Sequence, residues 1–158
     1  MSFWEFITGN VIINATVLAW FIAQAIKVLL ILLETKRMDF SRFVGSGGMP
    51  SSHASTMAAL VTMIVRIYGF NSPFFAISFT MAMIVMYDAA GVRRAAGKQA
   101  TVLNKMIENI SPSDPEFWDI KLKELIGHTL FQVFIGAILG FAIAMLMMPP
   151  LALHWHGI

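Results

Sequence analysis

The sequence has no cysteine, and this absence removes several chemistries at once. Disulfide bonds, thiolate catalysis and cysteine-ligated zinc are all excluded. Lysine and arginine are missing from the first ten residues, so we expect no cleaved signal peptide there. The net charge is only +2 and no basic patch carries interleaved aromatic residues, so we expect no nucleic-acid partner.

Charges of either sign are sparse, whereas hydrophobic residues are abundant. Only 13% of the residues are charged, 58% are hydrophobic, and the mean hydropathy is +0.73. The charges cluster between long apolar runs, as they do in polytopic membrane proteins. We therefore expect an all-α fold, an integral membrane helical bundle, with residues 1–158 forming a single membrane-embedded domain.

Four hydrophobic runs predict about four transmembrane helices. They cover residues 11–33, 52–68, 73–90 and 125–148. The second run is short for a hydrocarbon layer of roughly 30 Å, so we expect it to tilt little or to reach only an interface. A polar helical segment is predicted between the last two runs, over residues 93–110.

Lysine and arginine are distributed unequally between the two sides that this topology defines. Four spans place residues 34–51 and 88–124 on the same side, and these two segments hold most of the lysine and arginine. Positive-inside reasoning predicts that this side is cytoplasmic, in a bacterial cytoplasmic membrane.

A polar, glycine-rich stretch precedes the second run. It reads Gly45-Ser46-Gly47-Gly48-Met49-Pro50-Ser51-Ser52-His53. Ser51 or Ser52 can cap the following helix, and a helix start preceded by glycines is an anion site because free N–H groups converge there. His53 would then lie in the first turn, beside a bound anion. The simpler interpretation is a flexible connector that ends in a cap.

Cations follow the third run, in the stretch Tyr87-Asp88-Ala89-Ala90-Gly91-Val92-Arg93-Arg94. Arginine offers planar, multi-donor contacts to phosphate oxygens, which makes Arg93 and Arg94 candidate phosphate ligands. Asp88 is expected to pair with an arginine. Alternatively, these cations only end a span and extend to lipid headgroups.

His128 opens the last run, and Gln132 follows four residues later. On a helix this spacing puts both side chains on one face, so the Gln132 amide oxygen could accept from one imidazole nitrogen and leave the other facing the site. Glu124 is a second candidate for orienting His128, and a purely structural histidine is the simpler alternative. Gly136 and Gly140 form a pair of small residues that predicts close helix packing.

Lys27 lies inside the first run, one turn after Gln24. A lysine within a span is costly and suggests a functional site, although a buried pair with Glu34 or Asp88, or snorkelling, would also explain it. Together, the candidate residues suit phosphoryl transfer. They are two histidines, several cations and the glycine-rich start of a helix, all at one membrane face. Cations neutralise the phosphate, one histidine attacks or takes a proton, and the other protonates the leaving oxygen.

These motifs resemble a known family. Pro50-Ser51-Ser52-His53 is similar to the Pro-Ser-Gly-His helix start of the type 2 phosphatidic acid phosphatase superfamily, the integral membrane lipid-phosphate phosphatases related to vanadium haloperoxidases. Residues 128–140 resemble the second half of that family's arginine–histidine–aspartate motif. The stretches 47–53 and 87–94 resemble its divergent branch more specifically, and the resemblance covers nearly the whole chain.

The resemblance implies a role for each candidate residue. His128 would be the nucleophile that forms a phosphohistidine, and His53 the general acid toward the leaving alcohol. The implied phosphate-binding residues are Lys27, Ser51, Ser52, Arg93 and Arg94. Gly48 and Asp88 would support them, and neither a metal nor another cofactor would be required.

The sequence departs from the family pattern in ways that bear on activity. Gln132 stands where the family has a carboxylate, and a neutral amide cannot offset imidazolium charge. By analogy with catalytic triads this predicts a weaker enzyme, unless Asp88 or Glu124 substitutes. Ser52 replaces a glycine and narrows the phosphate cradle. The family's other basic motif is echoed only by Lys27 and by one of two arginines, Arg37 or Arg42.

Three functions are consistent with these features. The first is a phosphatase acting on a phospholipid or polyprenyl phosphate or diphosphate. Membrane lipids would surround it, and a homodimer would fit because four spans make a thinner scaffold than the family's usual six. The second is a non-catalytic relative that binds anionic headgroups or scaffolds other proteins. The third is a metal-dependent hydrolase that uses His53, His128 and Asp88.

Overall fold

The computed structural model of the chain describes residues 9–36, 48–110 and 128–147. Within these ranges the regular structure is entirely helical, which confirms the all-α prediction. The elements, in chain order, are α1 (Val11–Thr35), α2 (Ser52–Tyr68), α3 (Pro73–Tyr87), a π-helical turn (Asp88–Val92), α4 (Arg93–Ile110) and α5 (Leu130–Met147).

Three helical stretches are long and apolar enough to cross a membrane. They are Val11–Leu33, Pro73–Ile107 and Leu130–Met147. The helix over the remaining predicted span, α2, has 17 residues and is therefore about 25 Å long. The fold is thus the predicted membrane helical bundle, with one short helix among longer ones.

Helix α2 is the centre of the bundle, because it packs against α1, α3 and α5. The buried core between α1, α2 and α5 contains mostly small side chains and methionine: Ala15, Ala19, Ala59, Met63, Ile143 and Ala144. Small residues at helix contacts let the backbones approach closely, which is how helices associate in lipid. Larger apolar side chains, including Phe21 and Leu146, face outward.

The short connection between α2 and α3 confirms the turn predicted at residues 70–73. The Ser72 side chain caps α3 by accepting from the Phe75 N–H, and Pro73 is the first residue of the helix. Proline is favoured at that position because its missing N–H would have no partner within the helix. The two helices are therefore antiparallel neighbours.

Helices α2 and α5 make the closest contact in the bundle. A methyl group added at Gly136 would overlap the Ser51 carbonyl oxygen, and one at Gly140 would overlap the Ser55 carbonyl oxygen. The packing predicted from the two glycines is confirmed. On its other side, α2 is tied to α1 by the Ser55 hydroxyl, which donates to the Ala19 carbonyl oxygen at 3.1 Å.

Arg66 joins α2 and α5 at the opposite end of the bundle. Its guanidinium donates to the carbonyl oxygens of Met145 at 3.0 Å and Ala144 at 3.4 Å. The last carbonyls of a helix lack partners within the helix, and a cation there also interacts favourably with the helix dipole. The contact between α2 and α5 is thus fixed at both ends.

The third predicted span and the polar helix after it are one continuous stretch, not two separated elements. The π-helical turn Asp88–Val92 joins α3 directly to α4. Gly91, the one residue there with low helix propensity, does not break the helix. The continuous helical stretch Pro73–Ile107 has 35 residues and is about 52 Å long, so it exceeds a hydrocarbon layer of roughly 30 Å.

The contact between Gly140 and Ser55 makes a stability prediction. Gly140→Ala should lower the free energy of unfolding by about 2–3 kcal/mol, because its methyl group must displace a main-chain carbonyl and not a movable side chain. The change should appear as a lower thermal transition of the detergent-solubilised protein, followed by circular dichroism.

Gly91→Ala is the matched control, because a methyl group at Gly91 would meet no atom within 4 Å. Equal melting temperatures for Gly140→Ala and Gly91→Ala would contradict the close packing of α2 and α5.

Candidate active site

Two histidines from distant parts of the chain lie together. His53 is in the first turn of α2, and His128 immediately precedes Thr129, the residue that caps α5. Their ring centroids are 5.9 Å apart and the ring planes are nearly perpendicular, at 87°. His128 is only 1% exposed, and His53 is partly buried. The two imidazoles are therefore neighbours in a largely buried environment.

Main-chain contacts hold both histidines in place. The Ser51 N–H donates to the Gln132 carbonyl oxygen at 3.1 Å, which joins the start of α2 to the first turn of α5. The His128 N–H donates to the Ala89 carbonyl oxygen at 3.0 Å, which joins the start of α5 to the π-helical turn. Such turns are frequent at functional sites. The histidine positions thus depend on three elements that meet at one end of the bundle.

Lys27 of α1 is a buried cation close to the start of α2. It is 2% exposed, and its ammonium donates to the Gln24 side-chain oxygen at 2.8 Å. The acceptor in this bond is a neutral amide, whereas a purely structural explanation of Lys27 would pair it with Glu34 or Asp88. Gln24 therefore does not offset the positive charge of Lys27.

The glycine-rich stretch reaches the Lys27 side chain at Gly48. Gly48 has φ +83°, a conformation that side-chain-bearing residues rarely adopt. A β-carbon there would lie 3.2 Å from Cγ and 3.3 Å from Cδ of Lys27. The main chain leading into α2 therefore packs directly on the lysine stem.

The cap predicted for α2 is provided by Ser51. Its hydroxyl oxygen accepts from the Ala54 N–H at 3.4 Å, a long bond, and Ser51 has no exposed surface. Ser52 is the first helical residue and is 4% exposed. The N–H groups of the first turn of a helix point out of its N-terminus and favour a bound anion. Here they point out beside His53.

Gln132 has a contact that the predicted helical spacing does not anticipate. Its side-chain oxygen accepts from the Thr129 N–H at 3.0 Å, while the Thr129 hydroxyl accepts from the Gln132 N–H at 3.3 Å. This reciprocal arrangement is a capping box. Since α5 begins at Leu130, His128 precedes the helix and does not share a helical face with Gln132. A direct role for Gln132 in orienting the imidazole stays a prediction.

The remaining predicted residues lie at different distances from the histidines. Asp88 begins the π-helical turn, next to the carbonyl that binds His128. Arg93 and Arg94 begin α4, and Arg94 is exposed. Three further candidates, Arg37, Arg42 and Glu124, lie outside the described residues. The structure thus brings together Lys27, Gly48, Ser51, Ser52, His53 and His128.

The sequence analysis assigned no role to two residues that make contacts at this end of the bundle. Thr129 had a recognisable signal, since Thr129-x-x-Gln132 is a capping-box pattern. Ala89 had none, because it contributes a main-chain carbonyl and its side chain is chemically inert.

No group of three or more histidine and carboxylate side chains that could hold a metal ion occurs among the residues described. The metal-dependent alternative therefore lacks a ligand set within ranges 9–36, 48–110 and 128–147. Among the described residues, the Lys27 ammonium is a buried cation whose stem contacts Gly48, in the chain that leads into α2.

Comparison with known proteins gives two matches. The model of the "Divergent PAP2 family" matches residues 8–143. "Uncharacterized membrane protein YuiD" of Bacillus subtilis (strain 168) is 38% identical over 135 residues, which cover 79% of this chain and 85% of that protein. No solved structure matches this chain. Together with its three candidate spans, this similarity makes the chain an integral membrane protein in contact with membrane lipids.

The capping box predicts how substitutions at Gln132 affect stability. Gln132→Ala should lower the free energy of unfolding by about 1 kcal/mol, because the Thr129 N–H loses its acceptor. For Gln132→Glu the free energy of unfolding should stay within a few tenths of a kcal/mol of the parent value, since glutamate serves equally well in a capping box. Thermal unfolding in one detergent would measure both changes.

Thr80→Ala is the control, because Thr80 is exposed on α3 and bonds only along its own helix, to the Ala76 carbonyl oxygen. If Gln132→Ala and Gln132→Glu destabilise the protein equally, the capping box is not what the Gln132 side chain contributes.

Proposed function

This chain belongs to the divergent PAP2 family, and we propose from that membership and its paired histidines that it is a membrane lipid-phosphate phosphatase. Its substrate would be a phospholipid or polyprenyl phosphate or diphosphate, hydrolysed through a phosphohistidine. The observation that carries the proposal is the His53–His128 pair, whose ring centroids are 5.9 Å apart at the N-terminus of α2. The segment that leads into this helix packs on the buried Lys27 at Gly48.

The phosphate group would be bound by several positive or N–H-donating groups. The Lys27 ammonium is already buried against a neutral partner, so an incoming phosphate would offset its charge. The first-turn N–H groups of α2 and the hydroxyls of Ser51 and Ser52 would bind further oxygens. Arg93 and Arg94 follow the π-helical turn directly and would contribute from α4.

The reaction would proceed in two displacements. In the first, a His128 imidazole nitrogen forms a bond to phosphorus while the phosphorus–oxygen bond to the lipid breaks. His53, as the imidazolium, protonates the departing oxygen and releases the lipid alcohol, or the lipid monophosphate when the substrate is a diphosphate. In the second, neutral His53 takes a proton from water as the water oxygen attacks phosphorus. The phosphorus–nitrogen bond breaks, and inorganic phosphate leaves.

Gln132 would serve as a positioning residue in this scheme. It holds Thr129 in the capping box, and Thr129 is covalently next to His128. Asp88 would act from the π-helical turn, and Gly48 would keep the main chain close to Lys27. These residues would orient the reacting groups and not touch phosphorus themselves.

Apolar surface beside the histidines supports a lipid leaving group. Leu130 and Phe131, the first residues of α5, are 75% and 62% exposed, and Tyr87, just before the π-helical turn, is 76% exposed. A bound alcohol with long acyl or prenyl chains could lie along this surface without leaving the hydrocarbon layer. A small water-soluble phosphate ester would gain nothing from it.

His128→Ala tests the nucleophile. We expect it to lower phosphate release from a phosphatidic acid or polyprenyl phosphate by at least about a thousandfold, because His128 forms the covalent intermediate in this scheme. Rapid acid-free quenching with ³²P-labelled substrate should label the parent protein with an acid-labile, base-stable phosphate. His128→Ala should remain unlabelled, and Thr80→Ala should match the parent.

An active, labelled His128→Ala variant would rule out His128 as the nucleophile. The same assay in EDTA separates the metal-dependent alternative, since the proposed reaction should continue and a metal-dependent one should stop. If no lipid phosphate in a broad panel is hydrolysed by the parent, the phosphatase proposal fails.

His53→Ala tests the general acid through the leaving group. With a lipid alkyl phosphate we expect a loss of about 10²–10⁴-fold, because the alkoxide must be protonated as it leaves. With an aryl phosphate, whose phenolate leaves without a proton, the loss should be much smaller. Equal losses on both substrates would assign His53 to phosphate binding instead.

A non-catalytic, headgroup-binding protein of the same fold is the second candidate. The observation that favours it is the Gln132 side chain, which is a neutral amide engaged in a capping box where the family has a carboxylate. Such a protein would bind lipid phosphates in the same place and release no phosphate. Binding lost in a Lys27→Gln variant, without turnover by the parent, would support it.

The organisation of the chain is also part of the proposal. Residues 1–158 would form one membrane-embedded domain with the histidine end facing the cytoplasm of a bacterial cell, and a homodimer would supply additional scaffold. Ser72→Cys and Ser113→Cys test the sidedness, because the parent has no cysteine. A thiol reagent outside intact cells should label only the first, and the reverse pattern would invert the orientation.

A further inference from the structure

Helix α4 leaves the bundle. Its contacts with the other described elements are concentrated on the π-helical turn, whereas α2 contacts three helices. Since Pro73–Ile107 is about 52 Å long, α4 extends past the roughly 30 Å that a hydrocarbon layer can cover. Most of α4 therefore lies at or beyond the membrane surface, on the same side as the histidine pair.

Three of the four cations of α4 lie along one stripe. At 100° per residue, Arg94, Lys98 and Lys105 fall within about 40° of one another around the helix axis. All three are exposed. Asparagine and glycine occupy a different face, where Asn104 and Gly97 are buried. The positive stripe is therefore available to something outside the described part of the protein.

An exposed apolar face adjoins this cationic stripe. Val102, Leu103 and Met106 are 52%, 47% and 54% exposed, and with Lys98 and Gln99 they line one shallow surface depression. Three large apolar side chains with such exposure are costly in water but favourable in the headgroup region of a bilayer. The face also continues an exposed apolar surface that begins on α3 and the turn, at Ile84, Tyr87 and Val92.

We propose that α4 is an interfacial helix that lies against the membrane and binds anionic lipid headgroups. Val102, Leu103 and Met106 enter the boundary between headgroups and acyl chains, and the ammonium groups of Lys98 and Lys105 reach anionic phosphates beside them. The combination of a narrow cationic border with an exposed apolar face matches this partner in both charge and polarity. The proposal does not depend on the phosphatase activity.

Neighbouring residues on the two faces provide the test. Met106→Cys and Lys105→Cys, each with a nitroxide label, would be reconstituted as full chains in vesicles of phosphatidylcholine with phosphatidylglycerol. We expect the label at residue 106 to collide more with oxygen, which concentrates in lipid, than with an aqueous nickel chelate. The label at residue 105 should show the opposite preference.

Charge removal tests the headgroup contact separately. In the Met106→Cys background, Lys98→Gln with Lys105→Gln should lower the ratio of oxygen to nickel collisions. The equilibrium between α4 lying on the membrane surface and α4 in water should shift toward water by about tenfold or more. Lys36→Gln, which removes an exposed cation outside α4, should leave the ratio unchanged. Vesicles of pure phosphatidylcholine should reproduce the effect of the double substitution.

Three results would overturn the proposal. Equal collision ratios at residues 105 and 106 would mean that the helix lies in water. Low collision rates with both reagents at residue 106 would mean that protein, such as a second copy of the chain, covers the apolar face. A ratio that responds neither to phosphatidylglycerol nor to Lys98→Gln with Lys105→Gln would remove the anionic headgroup as the partner.

Discussion

The close approach of α5 to the start of α2 is the constraint on which the rest of the site depends. Gly136 and Gly140 leave space for the carbonyl groups of Ser51 and Ser55, so two backbones touch where side chains would otherwise separate them. His53 begins one of these helices and His128 precedes the other, so the same contact sets the distance between the rings. The histidine pair is a consequence of helix packing, and its geometry is as rigid as that packing.

The buried positive charge of Lys27 indicates which kind of ligand the site favours. Taking an ammonium group out of water costs several kcal/mol, and the neutral Gln24 amide recovers only part of that cost. Gly48 brings the chain that leads to the α2 N-terminus onto the lysine stem, so a second source of positive potential lies close by. A buried ammonium group bonded to a neutral amide and a helix N-terminus both favour an anion in a low-dielectric environment, and a phosphate monoester offers enough oxygens to contact both.

The helices could be predicted from the sequence, but several contacts at the candidate site could not. Apolar runs identified α1, α2, α3 and α5, and Ser72-Pro73 marked the start of α3, because these signals are local. The π-helical turn was missed because the Ala89 carbonyl that it presents binds His128, a contact across a long stretch of chain. Lys27 had several possible partners in sequence, and only the fold selects Gln24. The helical spacing of His128 and Gln132 does not apply, because α5 begins at Leu130 and His128 precedes it.

The capping box changes what the missing carboxylate means for the site. In a catalytic triad the carboxylate both orients the histidine and stabilises its positive form. Here the main chain of His128 is held by the Ala89 carbonyl on one side and the capped Thr129 on the other, so the backbone position of this histidine does not depend on a carboxylate. The stabilising charge is what Gln132 cannot supply. A carboxylate in its place would also add a negative charge close to the first turn of α2, and this charge would disfavour a bound phosphate. The amide therefore favours binding of an anion over rapid turnover, and we expect a low KM together with a low kcat.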